Sequence, residues 1–441
     1  MRRLDEVRTS KACHDLNRQW IIPVKMLVPF NDNLHSTRFF TEAQSRIVNM
    51  KNRTLLMIPG PIEFEPAVLA ALGAPTTGHL APDFIEAFGQ ALERMREVFM
   101  SPDGQPFIIA GSGTLAMDLA GANLTEPGDK ALVINTGYFS DRFATLLERY
   151  GASVTQVSAA VGARPSLDEV EHVLSRERFK LMTVTHVDTS TGVLTDVAGL
   201  AALARRYETL LVVDGVCSVA GEELRMAEWG VDVVLTASQK AVSVPPGLAL
   251  LIAGRRAMEA FNARRTPVAS YYADWNNWLP IMQAYESRKA AYFGTPAVNL
   301  VWALNVSLGQ LLAEGMEARF RRHYALGVAC QQGISALGLS QIPTEPEFAA
   351  HTMTAPRYPQ GINGAELLPA IQAAGVTVAG GLHPAIRNEY FRIGHMGPAN
   401  AGDLLATLGA VETGLRKCGH KFEWGASTAA AQAAYRNSIV S

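Results

Sequence analysis

The sequence predicts an α/β fold: a mostly parallel central sheet with helices on both faces, followed by a smaller C-terminal α+β domain. Three observations predict it. Between about residues 107 and 252, short strands that are apolar along their length alternate with helical patterns. Several of these strands end in a glycine turn or a lone polar residue. Beyond about residue 310 the texture changes to long helices with few strands. In chain order, residues 55–62 form an apolar run stopped by Pro59-Gly60-Pro61, which predicts an extended arm lying across a pocket or a partner. Residues 82–100 place Phe84, Phe88, Leu92, Met95 and Phe99 on one helical stripe. A strand at 107–110 runs through Gly111-Ser112-Gly113-Thr114 into a helix of small residues. Strands then follow at 130–135, 152–157, 181–186, 209–214, 232–236 and 248–252, with helices at 141–150, 166–176 and 194–207. Residues 391–393 read as a strand of the second domain, and the alanine-rich stretch 427–435 as a terminal helix or a frayed end. The expected organisation is an N-terminal extension at 1–50, an arm at 51–75, a large domain at 76–310, a small domain at 311–420 and a tail at 421–441.

Composition narrows the function classes. A formal net charge of −2 and a mildly acidic isoelectric point show no nucleic-acid footprint. No apolar run reaches the roughly eighteen residues of a membrane span. Cys13, Cys217, Cys330 and Cys418 match neither a zinc knuckle nor a disulfide framework, so an intracellular, reducing compartment is expected. Residues 1–50 are polar and irregular. Their basic residues (Arg2, Arg3, Arg8) are interleaved with Asp5, Glu6 and Asp15, unlike an acid-poor targeting presequence, and a disordered extension is expected there.

Two strand ends carry the chemistry. Lys240 follows the 232–236 strand on a turn of small residues, Ala237, Ser238, Ala241 and Ser243. Most lysines at strand ends are surface charges. Here the small neighbours leave room for a flat cofactor, and a partly buried amine loses its proton readily and can join an aldehyde as a Schiff base. Asp214 ends an unbroken apolar strand. A carboxylate there is satisfied by local N–H groups, or it pairs with a protonated pyridine nitrogen. An acid and a lysine on neighbouring strand ends suit the two ends of pyridoxal 5′-phosphate. Gly111 to Thr114 is a phosphate cup in which Gly113 and Thr114 supply N–H groups, or it is only a turn. Phe139 stacks on the ring or packs in the core. Thr189, in the polar cluster at 185–192, is a candidate neighbour of the ring hydroxyl; the cluster lacks metal-ligand spacing, and no metal is expected.

These segments, with residues 56–62, 135–142 and 391–397, resemble the class V, fold-type I pyridoxal-phosphate aminotransferases, and within them the fungal alanine–glyoxylate aminotransferases, over roughly residues 54–415. The resemblance implies that Lys240 is the Schiff-base lysine and Asp214 the ring-nitrogen partner. It also puts Gly113, Thr114 and Gln239 on the phosphate side, Thr189 at the ring oxygen and Phe139 in the stacking place that animal relatives give to tryptophan. Tyr292 and Thr295 resemble residues that reach the phosphate from the second subunit of a homodimer, and Arg392 the arginine that fixes the substrate carboxylate. The activity implied is transfer of the amino group of L-alanine to glyoxylate, with serine–glyoxylate or serine–pyruvate transfer as the alternative. A related lyase would need a mobile nucleophilic cysteine, and a scaffold without chemistry would need none of Lys240, Asp214 and Arg392.

Overall fold

The computed structural model describes residues 54–440; the extension expected at 1–50 lies outside the described residues. The chain opens with β1 (Leu55–Leu56), α1 (Pro66–Leu72) and α2 (Pro82–Val98), then alternates β2 (Gln105–Ala110), α3 (Gly113–Leu124), β3 (Lys130–Asn135), α4 (Tyr138–Arg149), β4 (Ser153–Ser158), α5 (Leu167–Leu174) and β5 (Leu181–Thr185). A short hairpin, β6 (Val187–Asp188) and β7 (Val193–Leu194), leads to α6 (Val197–Arg206), β8 (Leu210–Asp214), α7 (Met226–Trp229), β9 (Val233–Ala237) and β10 (Leu248–Ala253). Seven of these strands form one sheet in the order β2-β10-β9-β8-β5-β3-β4. Strand β10 runs antiparallel to both of its neighbours, and the other pairs are parallel. Strands β5, β8 and β9 are buried at every position, as strands covered on both faces must be, whereas the edge strand β4 is partly exposed. The apolar stripe of α2 is buried as its periodicity predicts.

The sequence pattern marked no element between the last large-domain strand and residue 310. The structure has three helices there: α8 (Arg255–Asn262), α9 (Trp275–Glu286) and α10 (Val298–Glu314). In two of them the signal is weak for physical reasons. Helix α9 carries Pro280 inside it, and α10 is apolar on most faces because it packs against both α1 and α2.

The smaller C-terminal domain contains α11 (Met316–Ala336), β11 (Met353–Thr354), α12 (Gly364–Ala373), β12 (Val376–Thr377), β13 (Ala379–Gly380), β14 (Phe391–Gly394), α13 (Ala401–Lys417) and α14 (Ala426–Val440). A second apolar core forms here around Leu326, Ile334, Leu367, Phe391 and Leu408. Strand β1 pairs with β12, and Met57 enters this second core. The Pro59-Gly60-Pro61 turn then brings the arm over the ends of the large sheet, where the Ile62 N–H donates to the Gln239 carbonyl at 3.3 Å. The alanine-rich C-terminal stretch is a docked helix. The buried Glu412 carboxylate accepts from the backbone N–H groups of Gly425 and Ser427, at 2.8 and 2.9 Å, and α14 lies along α11.

Gly333 is the point of closest approach in that contact: a Cβ there would meet Leu408 Cδ1 at 2.7 Å and the Ser427 carbonyl oxygen at 2.9 Å. Gly333→Val is expected to destabilise the protein by about 1–3 kcal/mol through overpacking. It should lower Tm by a few degrees while leaving cofactor binding at 25 °C unchanged, measured by calorimetry and by visible absorbance.

Candidate active site

The ends of five sheet strands face one cavity of about 300 Å³. This is where an open α/β sheet offers polar loop residues to a ligand. Lys240, Asp214, Gly113, Thr114, Phe139, Thr189, Gln239 and Arg392 all line it. Tyr292 and Thr295 do not. They lie together on the surface with their hydroxyls 3.5 Å apart, and the Tyr292 ring sits 5.3 Å from that of His79.

Lys240 is 7% exposed and its ammonium donates to the Pro59 carbonyl of the arm. Burial holds it below the ordinary lysine value, with Cys217 and Asp214 opposing and Arg392 reinforcing the shift. Gly60 is required beside it: its φ is +103°, and a Cβ there would overlap the Lys240 side chain at 2.6 Å. Asp214 is 2% exposed at the tip of β8 and accepts from the Val216 N–H at 3.0 Å. Burial pushes its carboxyl up to about 6. The Val216 bond and Lys240 oppose that shift, and the nearby Asp188 adds to it. Asp214 and Lys240 form no ion pair with each other, so the space between them is open to a ring.

The phosphate end is built by helix α3. Its N-cap, Ser112, makes no side-chain cap bond, so its first N–H groups, at Gly113 and Thr114, are open to an anion. Arg142 reaches the same end, donating to Thr114 Oγ1 at 3.0 Å and lying 5.1 Å over the Phe139 ring. Gln239 lines the cavity with its Oε1 buried and unpartnered. A buried amine at one end, a carboxylate at the other, an open helix N-terminus and an unpartnered amide fit pyridoxal phosphate.

Behind the ring position lies a buried support. The Asp188 carboxylate accepts from the Phe139 N–H at 3.1 Å and from Ser190 Oγ at 2.6 Å. Ser190 Oγ in turn accepts from the Tyr138 N–H at 3.1 Å, so the two side chains fix the start of α4. Gly137 lets them approach, since a Cβ there would meet Ser190 Oγ at 2.6 Å. At the far end, Arg392 Nε donates to the Gly380 carbonyl at 2.8 Å and Nη1 to the Thr189 carbonyl at 3.1 Å. No carboxylate of the described residues pairs with it.

Sequence reasoning missed Pro59 and Gly60 as wall residues, as well as Arg142, Asp188, Ala379 and Leu382. Arg142 was findable, standing one helical turn after Phe139. Ala379 and Leu382 had no signal, because only the pairing of β13 with β14 brings them to the site. Cys217 and Cys330 are buried, and burial raises both thiols, Cys330 to about 12; neither is a mobile nucleophile.

Comparison with known proteins places this geometry in context. Residues 68–397 match the family model for aminotransferase class-V. The chain is 39% identical over 362 residues to alanine–glyoxylate aminotransferase 1 of Saccharomyces cerevisiae, covering 79% of this chain and 93% of that protein. It is 31% identical to serine–glyoxylate aminotransferase of Arabidopsis thaliana, covering 85% and 94%. Among solved structures, ureidoglycine–glyoxylate aminotransferase from Bacillus subtilis is similar with a TM-score of 0.81 at 27% identity, covering 87% of this chain and 98% of that one.

The raised Asp214 has a consequence for the cofactor-free protein. Below about pH 3 the group is protonated in both folded and unfolded chains and costs nothing. As pH rises towards 6 the unfolded chain releases the proton first, and stability falls by up to about 3 kcal/mol. Cofactor-free Asp214→Asn is therefore expected to resist urea better than wild type at pH 7.5, with the advantage gone by about pH 3. Equal midpoints at pH 7.5 would show that the carboxylate is not destabilised by its burial.

Proposed function

Because the chain belongs to the aminotransferase class-V family and is a pyridoxal-phosphate-dependent aminotransferase, we propose that it transfers the amino group of L-alanine to glyoxylate, giving pyruvate and glycine. The observation that carries this reading is the convergence on one small cavity of Lys240, Asp214 and Arg392, with which no carboxylate of the described residues pairs. Relatives named for three different amino donors all carry glyoxylate in their names, which favours it as the acceptor. The donor is argued from the cavity wall. Ala379 is the register partner of Arg392, and it and Leu382 line the cavity. They offer a donor side chain apolar contact and no hydrogen-bonding group for the hydroxyl of serine.

Each residue then has a task. Pyridoxal phosphate held here would supply an electron sink for the pair left on the substrate α-carbon and a carrier for the amino group. Arg392 holds the substrate carboxylate through the planar fork of its guanidinium and so orients the Cα–H bond. Lys240, kept from holding its proton firmly by burial, takes the α-proton at Nζ and returns it on the cofactor side. Asp214 keeps the ring nitrogen protonated. Gly113, Thr114 and Gln239 would hold the phosphate, Thr189 would serve the ring hydroxyl and Phe139 the ring face. The Pro59 carbonyl aims the amine of Lys240. In a homodimer, the exposed Tyr292 and Thr295 reach the phosphate of the second copy.

A donor–acceptor matrix tests the substrate pair: kcat/KM for alanine with glyoxylate should exceed that for serine, aspartate or branched donors. A preference for serine, or for 2-oxoglutarate as acceptor, would overturn the pair and leave the chemistry standing. Arg392→Ala should weaken every donor by about 2–4 kcal/mol in transition-state terms while the protein keeps its visible absorption. Lys240→Ala should lose turnover and the borohydride-reducible band together. Sedimentation is expected to show a dimer at assay concentration, and Tyr292→Phe should weaken cofactor affinity; a fully active monomer would exclude the shared site.

A further inference from the structure

We infer that Tyr390 is a positioning residue that sets the size limit of the amino-donor pocket by holding Leu382 in its wall. The inference rests on the reading that Ala379, Leu382 and Arg392 bound the donor site. Tyr390 stands two residues before Arg392, so the two side chains leave the extended chain on the same face. Both reach the same two segments. Arg392 donates to the carbonyls of Gly380 and Thr189, at 2.8 and 3.1 Å. The Tyr390 hydroxyl accepts from the backbone N–H groups of Leu382 and His383, each at 2.9 Å, and donates to the Ser190 carbonyl.

One fully buried hydroxyl thus uses its donor and both acceptor positions to join the loop after β13 to the loop between β6 and β7. Leu382 is half-buried and lines the cavity, yet among the described residues only this hydroxyl receives its backbone N–H. Gly381 makes the approach possible: a Cβ there would meet Tyr390 Cε1 at 2.6 Å and the Arg387 carbonyl oxygen at 2.4 Å. The far anchor is firm, because the Ser190 side chain is held by Asp188, whose other oxygen holds the Phe139 N–H. Without the hydroxyl, three backbone groups lose their partner. The loop relaxes towards solvent, Leu382 leaves the wall, and Arg392 keeps its own two bonds.

The test is steady-state kinetics of the holoenzyme with glyoxylate as acceptor, comparing alanine and leucine as donors. Four proteins are needed: wild type, Tyr390→Phe, Leu382→Ala and the double variant. Tyr390→Phe is expected to raise KM for alanine about fivefold with kcat little changed, the scale of a lost buried hydrogen bond. The leucine-to-alanine ratio of kcat/KM should rise about tenfold. Leu382→Ala should raise that ratio similarly, and the double variant should add little, because both changes open the same wall. An unchanged ratio in Tyr390→Phe, or additive effects in the double variant, would overturn the proposal. If Tyr390→Phe does not fold, Gly381→Ala displaces the same loop with the hydroxyl in place, and an unaltered ratio there would equally overturn it. A wild type that prefers another donor defeats the alanine reading alone, since the ratio still reports on Tyr390.

Discussion

The structure depends on two opposite charges buried within reach of one cavity and kept apart. Asp214 ends β8, and Lys240 follows β9 after a two-residue turn, so adjacent parallel strands carry them to the same edge of the sheet. Both are desolvated, and the shifts run against their charges: burial raises the acid and lowers the amine. A direct ion pair would relieve both and would also fill the space where a ring must sit. The fold instead gives each a backbone partner, the Val216 N–H for Asp214 and the Pro59 carbonyl for Lys240. A stretched, under-satisfied pair is what a charged, flat cofactor can complete.

Holding that pair requires rigid surroundings, and the sheet provides them. Strands β5, β8 and β9 are buried on both faces, with their backbone groups paired in register. The loops beyond these strands are less regular, and hydrogen bonds replace the ladder. Asp188 is the centre of that arrangement, itself buried with its carboxyl raised by desolvation. Its partners reach Phe139 on one side and, through Ser190, Tyr390 and the small domain on the other. Buried polar chains of this kind specify one geometry because every member left unpaired is costly.

The N-terminal arm adds a second link between the domains. It pairs with β12 and contributes Met57 to the small-domain core, then crosses the cavity to receive the Lys240 ammonium. Movement of the small domain therefore bears on the lysine through the arm and on the substrate carboxylate through β14. The exposed aromatic surface around Tyr271, Tyr292 and His79 stands apart from these links and is the side on which a second copy is proposed to dock.

The alternation of strand and helix, the two strand ends that carry Asp214 and Lys240, and the glycine turn that opens α3 are all legible in the chain's order of residues. These are local facts: apolar runs, turn residues and the residue at a strand tip are all written within a few positions. The sequence also pointed to Arg392, on resemblance, without saying what would hold it. Folding alone brings Pro59 to Lys240, ties Leu382 to Ser190 through Tyr390, and sets Ala379 and Leu382 in the cavity wall. Each of these joins residues from distant parts of the chain, and no periodicity encodes such a contact. Helix α10 escaped the sequence for a related reason: packed on several sides, it carries no polar stripe to reveal its period.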